Sequence, residues 1–409
     1  MSISVMKFGG TSVGSVERLK RVADRIINKK NAGEQVIVVV SAMGKTTDHL
    51  VSMASEITSQ PSKREMDMLL STGEQVTISL LSMVLQERGH NSISLTGWQA
   101  GIQTEAIHGS ARIENIQTPV ILHYLNQGHI VIVAGFQGVA NGNITTLGRG
   151  GSDTSAVALA SAFDASVCEI YTDVTGVFTV DPRFVDKARK LKEINYDEML
   201  ELAYLGAGVL HPRAVECAKN NHITLVVRSS FENEEGTVIK EEISLEKERA
   251  VRGLAFEKDV TRVTLLGLPN NLVSLSHVFD LLAAHHINID VIVQNVLDEE
   301  SVSLSFTIIN TSIEETLNVL ENNKESLEYQ DLKIESQLAK VSIVGSGMVS
   351  NPGVAASMFH QLAENSIKVK MVSTSEIKVS TIIDEKDLLK ALDVLHAGFK
   401  LSDEVTKVY

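Results

Sequence analysis

The residues of this sequence best suited to chemistry sit beside glycine pairs. In "MKFGGTSVG" (6–14), Lys7 and Phe8 end an aliphatic run, Gly9 and Gly10 follow, and Thr11 and Ser12 close a turn before an amphipathic stretch. Paired glycines let the chain turn tightly and bring backbone amides up to a ligand. Amides at a helix start carry roughly half a positive charge from aligned peptide dipoles. Lys7 adds a full one, so the turn suits an anion, with phosphate favoured. "TLGRGGSDTSA" (146–156) repeats the theme, with Arg149, Gly150, Gly151, Ser152 and Asp153 leading into an alanine-rich helix. Ser152 or Asp153 could serve simply as an N-cap, but that role requires neither the arginine nor the glycines. A guanidinium among exposed amides grips a carboxylate or phosphate.

Three further stretches add polar groups. "YTDVTGVFTVDPR" (171–183) closes a strand in Thr172 and Asp173 and continues into a loop with Phe178, Asp181 and Arg183. "VVVSAMGKTTDHL" (38–50) ends a strand at Ser41 and sets Lys45, Thr46 and Thr47 in the next loop, where Lys45 reads as a solvated lysine. "LLSTGEQVTISLL" (69–81) places Glu74 on an aliphatic helix, either as a buried structural carboxylate or as a partner for a cation. There is no G-x-S-x-G elbow, no metal-ligand cluster and no evident acid–base pair, and His211 reads as a structural residue near a helix start.

These groups need elements to hold them. Aliphatic runs at 35–44, 129–138, 165–174 and 222–230 read as buried strands, and the patterns at 15–30, 64–88, 112–127, 152–163 and 196–220 read as helices. Such alternation predicts an α/β fold: a mainly parallel sheet sandwiched by helices, with ligands beyond the carboxyl ends of its strands. The boundary of this first domain is placed at 1–230. A charged stretch at 231–248 reads as a surface connector. The remainder, 249–409, repeats itself: 263–295 matches 341–375, with Val263, Gly267, Phe279, Ile287 and Ile289 aligned to Val341, Gly345, Phe359, Ile367 and Val369. Each copy reads strand–helix–strand–strand–helix and lacks one strand. Copy one, about 263–338, finds it in 327–337. Copy two, about 340–409, is expected to borrow 249–258, which interlocks the two copies.

The chain has 409 residues, a net charge of −14, 44% hydrophobic and 4% aromatic residues. That length suits two or three domains. The acidity argues against nucleic acid or a membrane surface as the main partner and requires that positive charge be concentrated in one pocket. Cys168 and Cys217 have no spacing suited to a disulfide or a metal, which fits a reducing cytoplasm. The start lacks a signal-peptide pattern, and no uninterrupted apolar run of membrane-spanning length is apparent.

Taken in order, "KFGGTSVG", "VVVSAMGKTTD", "STGEQ", "TLGRGGSDTSA", "YTDVTGVFTVDPR" and "GAGVLHPRAVE" resemble the aspartate kinases of the amino acid kinase family. "GMVSNPGVAA" and "MVSTSEIKVS" resemble that family's paired regulatory ACT units, ferredoxin-like βαββαβ modules. The resemblance implies Mg²⁺-ATP-dependent phosphorylation of L-aspartate to 4-phospho-L-aspartate, which opens lysine, threonine, methionine and diaminopimelate synthesis. It assigns Lys7, Phe8, Gly9, Gly10 and Ser41 to the phosphates and Asp153 to orienting Lys7 or the metal. It assigns Thr47, Glu74, Arg149 and Ser152 to aspartate, and Thr172, Asp173, Phe178, Asp181 and Arg183 to the nucleotide. It also implies an effector site for lysine, with threonine as a second candidate, where Asn288, Asp290 and Gln294 are either effector contacts or plain strand-edge residues. A homo-oligomer through the ACT units is expected, and a monofunctional kinase, since no stretch is left for a fused second enzyme. One departure stands out: many relatives carry lysine where this chain has Gly208. The alternatives are another amino acid kinase, or a non-catalytic amino-acid sensor on the same fold.

Overall fold

The computed structural model describes residues 2–206, 208–241 and 249–403. Its contacts divide it into two units: 1–177 with 190–204 and 208–244, and 178–189 with 205–207 and 245–409.

The first unit alternates strands and helices. In order they are β1 (Ile3–Phe8), α1 (Val16–Asn31), β2 (Gln35–Val40), α2 (Thr46–Ile57), α3 (Lys63–Leu70), α4 (Thr72–Glu87), β3 (Ser92–Leu95), β4 (Ile102–Thr104), β5 (Ile113–Ile116), α5 (Pro119–Asn126) and β6 (Ile130–Ala134). Then come β7 (Gln137–Ala140), β8 (Asn143–Thr146), α6 (Gly151–Ala162), β9 (Val167–Thr172), β10 (Glu193–Asn195), α7 (Tyr196–Tyr204), α8 (Pro212–Asn220), β11 (Leu225–Ser229) and β12 (Thr237–Lys240). Eight strands form the main sheet in the order β10-β12-β11-β9-β1-β2-β6-β3, parallel throughout except for the β11–β12 pair. The aliphatic runs are central because both faces are covered: Met6, Phe8, Val38, Val40, Ile132 and Ala134 pack with Leu19, Ile26, Leu81 and Leu85 of α1 and α4. A smaller sheet, β5-β4-β7-β8, flanks it.

Several expectations are corrected. The helix expected over 64–88 breaks at Ser71, whose carbonyl accepts a hydrogen bond from Gln137 Nε2 at 2.9 Å. Together α3 and α4 have the length and hydropathy of a membrane crossing, but Ile78, Leu81 and Leu85 are buried in the core and Asp67 and Glu74 lie inside. The pattern at 112–127 splits into β5 and α5, with Pro119 preset for the first helical turn. The stretch at 196–220 splits at Gly206 and Gly208, both at positive φ, and restarts at Pro212. The stretch read as a connector, 231–248, contains β12, held because Thr237 Oγ1 donates to the Leu191 carbonyl at 2.6 Å and accepts from Val177 N–H at 2.8 Å. The rest of that stretch, 242–248, lies outside the described residues, as do 404–409 at the end of copy two. Finally, α1 starts only at Val16 and is capped by its own Ser15, so the glycine turn at 9–10 is not a helix N-terminus.

The second unit holds β13 (Gly253–Pro269), α9 (Leu272–Ala284), β14 (Ile292–Val296), β15 (Ser301–Ile309), α10 (Ile313–Asn322), α11 (Lys324–Leu327), β16 (Asp331–Val344), α12 (Val354–Glu364), β17 (Val369–Thr374), β18 (Lys378–Asp384) and α13 (Leu388–Gly398). Its six strands run β14-β15-β13-β16-β18-β17. The first half of β13 pairs with Lys340–Val344 and its second half with 331–335, all antiparallel. Each four-stranded half is thus completed by a strand that continues into the other, and each has its own apolar core beneath two helices.

Candidate active site

The carboxyl ends of β1 and β2 are stitched together at the first glycine turn. Ser41 N–H donates to the Phe8 carbonyl at 3.1 Å and Gly44 N–H to the Gly10 carbonyl at 2.9 Å. A side chain at Gly10 would stand 2.9 Å from the Ala42 carbonyl, so only glycine allows this approach. The second glycine pair lies opposite. Gly150, at φ 72°, is the N-cap of α6 and offers no side chain, so neither Ser152 nor Asp153 caps the helix. Their amides are left at a helix N-terminus with a favourable dipole. Here, and not at α1, lies the helix start suited to an anion.

Between these turns is a cavity of about 310 Å³ lined by Lys7, Gly10, Ser41, Thr47, Glu74, Arg149, Ser152 and Asp153, together with Ala42, Gly44, Phe136, Gly148, Gly150 and Gly151. Lys7 Nζ and Asp153 Oδ1 are 2.5 Å apart. Arg149 is exposed at the rim and has no ion-pair partner among the described residues. Thr47 comes from the first turn of α2 and Glu74 from the first turn of α4, so side chains from two further helices meet the head of α6 in one space.

Glu74 is 2% exposed. Its Oε1 accepts from Ala42 N–H at 3.1 Å and its Oε2 from Gln137 Nε2 at 3.4 Å. Burial nevertheless raises its pKa to about 8, because those hydrogen bonds do not replace the lost hydration. A carboxyl in this state is poised to ionise when a cation docks beside it. Sequence reasoning missed Phe136 and Gln137, which reach the site from the β6–β7 connection, and missed Arg213, whose Nη1 donates to the Leu147 carbonyl at 2.5 Å and steadies the loop carrying Arg149. The run "GFQG" after a buried strand was the only signal available for the first two.

Other expected residues stand apart from the cavity lining. Phe8 is fully buried and stacks on Tyr171 at 4.6 Å, so only its backbone can serve a ligand. Gly9 donates its N–H to the Tyr171 carbonyl at 3.3 Å. Thr172 ends β9, next to β1, and Asp173 follows it, with Thr172 Oγ1 donating to Asp173 Oδ1 at 3.0 Å. Phe178, Asp181 and Arg183 lie in 178–189, which clusters with the second unit, and there the Arg183 guanidinium forks onto Asp181 and lowers its pKa. Gly208 is exposed at φ 67°, a conformation that L side chains rarely adopt.

Asn288, Asp290 and Gln294 are exposed, the first two in the segment leading into the edge strand β14 and Gln294 in its middle. Asp290 is already ion-paired with the buried Lys340, which also meets Glu257 at 2.7 Å. Burial pushes the Lys340 ammonium down, but the two carboxylates outweigh it and its pKa is raised.

Known protein families match both parts of the chain. The amino acid kinase family model matches residues 2–229, and an ACT domain model matches 341–399. The chain is 63% identical over 408 residues to an aspartokinase of Bacillus sp. (strain MGA3), covering 100% of this chain and 99% of that one. The structure of E. coli aspartokinase III in complex with aspartate and ADP is similar at a TM-score of 0.80 and 28% identity, covering 97% and 99% of the two chains. The same enzyme in complex with lysine and aspartate matches at 0.78 and 28%, with the same coverage.

Proposed function

Since the chain belongs to the amino acid kinase family, we infer that it is an aspartate kinase, and that the cavity between the two glycine turns is where the phosphoryl group changes hands. A side-chain carboxylate oxygen of L-aspartate attacks the γ-phosphorus of ATP. The bond to the β–γ bridging oxygen breaks, and ADP and 4-phospho-L-aspartate leave. With a free pKa of ~3.9 the attacking carboxylate is ionised at neutral pH and needs no base, which accounts for the lack of an acid–base pair. The demands are alignment and neutralisation of crowded negative charge.

Each residue has a part in meeting them. Lys7, held by Asp153, places its ammonium against the transferred phosphoryl group, and the amides around Gly10 and at the head of α6 donate to phosphate oxygens. Ser41 stands at the same strand end. Arg149 takes a carboxylate of aspartate, Glu74 its ammonium, and Thr47 and Ser152 complete that side. Thr172 and Asp173 serve the nucleotide from the end of β9, whereas Phe178, Asp181 and Arg183 are proposed for it on their sequence pattern alone. When bound, Mg²⁺ would supply further neutralisation of the phosphate charge, and Asp153 would be the residue to hold it. The residues present fit such a metal, since Asp153 offers a carboxylate at the cavity. The observation that carries the proposal is that Lys7, Asp153, Arg149, Ser152, Thr47 and Glu74, scattered over most of the first unit, line one cavity.

The second unit is proposed as an effector module for lysine, with threonine a second candidate, acting through Asn288, Asp290 and Gln294. The ACT match and the lysine complex of the E. coli enzyme support this. The exposed edge strand β14 supports assembly into a homo-oligomer through the ACT units, and the free Cys168 and Cys217 support a cytoplasmic setting. The test is direct: with ATP, Mg²⁺ and L-aspartate the protein releases ADP and forms an acyl phosphate trapped by hydroxylamine. Lysine binding without trapped product would favour an amino-acid sensor instead.

A further inference from the structure

We propose that Asp67, which lies outside the cavity of the transferred phosphoryl group, is a positioning residue that sets Arg149 for aspartate; this rests on the reading of Arg149 given above. Asp67 sits on α3, is fully buried, and is used only as an acceptor. Its Oδ2 meets His108 Nδ1 at 2.6 Å, both of its oxygens take Gly109 N–H at 3.1–3.2 Å, and its Oδ1 accepts from Thr146 Oγ1 at 2.5 Å. One carboxylate therefore ties α3 to the 108–109 turn and to the last residue of β8. Both tethers lead to Arg149. Thr146 precedes it by three residues. Gly109 packs so closely on Gly148 that a Cβ there would lie 3.0 Å from the Gly109 carbonyl.

Arg149 itself has no hydrogen-bond or ion-pair partner among the described residues, so the loop that carries it has a large share in aiming the guanidinium. A second hollow, of about 900 Å³, adjoins the cavity through Thr47, Phe136, Gly148 and Arg149, leaving the arginine room to swing away. A charged acceptor receiving three donors makes a strong latch, and converting one oxygen to an amide removes the charge and obliges Thr146 or His108 to reverse its hydrogen bond. Asp67→Asn keeps the volume and weakens the latch.

The experiment measures KM for aspartate, KM for ATP and kcat on the full chain for Asp67→Asn, Thr146→Val, Arg149→Ala and the double variant Asp67→Asn/Arg149→Ala. The expected result is a rise of about ten- to a hundredfold in KM for aspartate with Asp67→Asn, the scale of a displaced positioning group. KM for ATP should stay within about twofold, and the double variant should be no worse than Arg149→Ala alone. Thr146→Val should move the same parameter in the same direction by a smaller factor, and it carries the test should Asp67→Asn fail to fold. An unchanged KM for aspartate in both latch variants, equal losses for the two substrates, or additive effects in the double variant would overturn the proposal. If Arg149→Ala alone leaves KM for aspartate unchanged, the assigned role of Arg149 falls first, and that outcome is visible separately.

Discussion

Replacing Glu74 by glutamine should stabilise the empty protein while impairing its use of aspartate, and the two effects should separate by pH. Glu74 is raised from 4.5 to about 8 by burial. With a folded-state value above the unfolded one, its contribution to stability is fully present below about pH 4.5 and is lost as pH rises through about 8. Between those limits the loss is about 1.4 kcal/mol per pH unit, on the order of 3 kcal/mol by pH 7. Glutamine keeps an oxygen for Ala42 N–H but never ionises. The melting temperature of Glu74→Gln relative to the parent should therefore climb steadily from pH 5 to 8 and level off above. A difference that is flat across this range would refute the argument.

The ligand gives the second half of the test. At pH 7 the empty site holds Glu74 mostly protonated, and an aspartate ammonium docking there should release most of that proton. Titration calorimetry in buffers of different ionisation enthalpy reads that number directly. The parent should show release and Glu74→Gln none, with KM for aspartate raised about ten- to a hundredfold for the lost charged hydrogen bond. Equal proton counts in the two proteins would show that Glu74 does not face the ammonium.

Other outcomes follow from the same geometry. Lys7→Ala should lower kcat by about 10²- to 10³-fold with circular dichroism unchanged, and near-normal turnover would remove Lys7 from the reaction. Gly10→Ala should raise KM for ATP, because its Cβ would push on the Ala42 carbonyl at 2.9 Å; unaltered kinetics would mean that the two strand ends need not touch. Asp290→Ala should relieve inhibition by lysine and spare basal activity, since Lys340 retains Glu257; unchanged inhibition would place the effector elsewhere.

The cavity was legible where its chemistry is local in the chain. Glycine next to Lys7 and glycine next to Arg149 each state a turn and a charge within a few residues, and strand-end positions follow from the alternation of aliphatic runs. What escaped depends on distant partners. The break at Ser71 has no proline and its nearest glycine, Gly73, already lies within α4, while the Gln137 amide that reaches the Ser71 carbonyl comes from β7, 66 residues onward. Phe8 was placed among ligand contacts by its neighbours in sequence, whereas its side chain follows the strand's alternation inward to Tyr171. The assignment of 178–189 to the second unit could not be read from composition, because Val180 and Val185 look like any buried pair until the core they join is known.

The long strand β13 carries one more implication. Because Gly253–Pro269 lies beside both ends of β16, a scission anywhere between the two strands strips each duplicate of the fourth strand of its sheet. The tandem therefore cannot be dealt out as freestanding modules: a gene fragment encoding either duplicate alone should yield insoluble chain, and inheritance must keep or discard the pair as a whole.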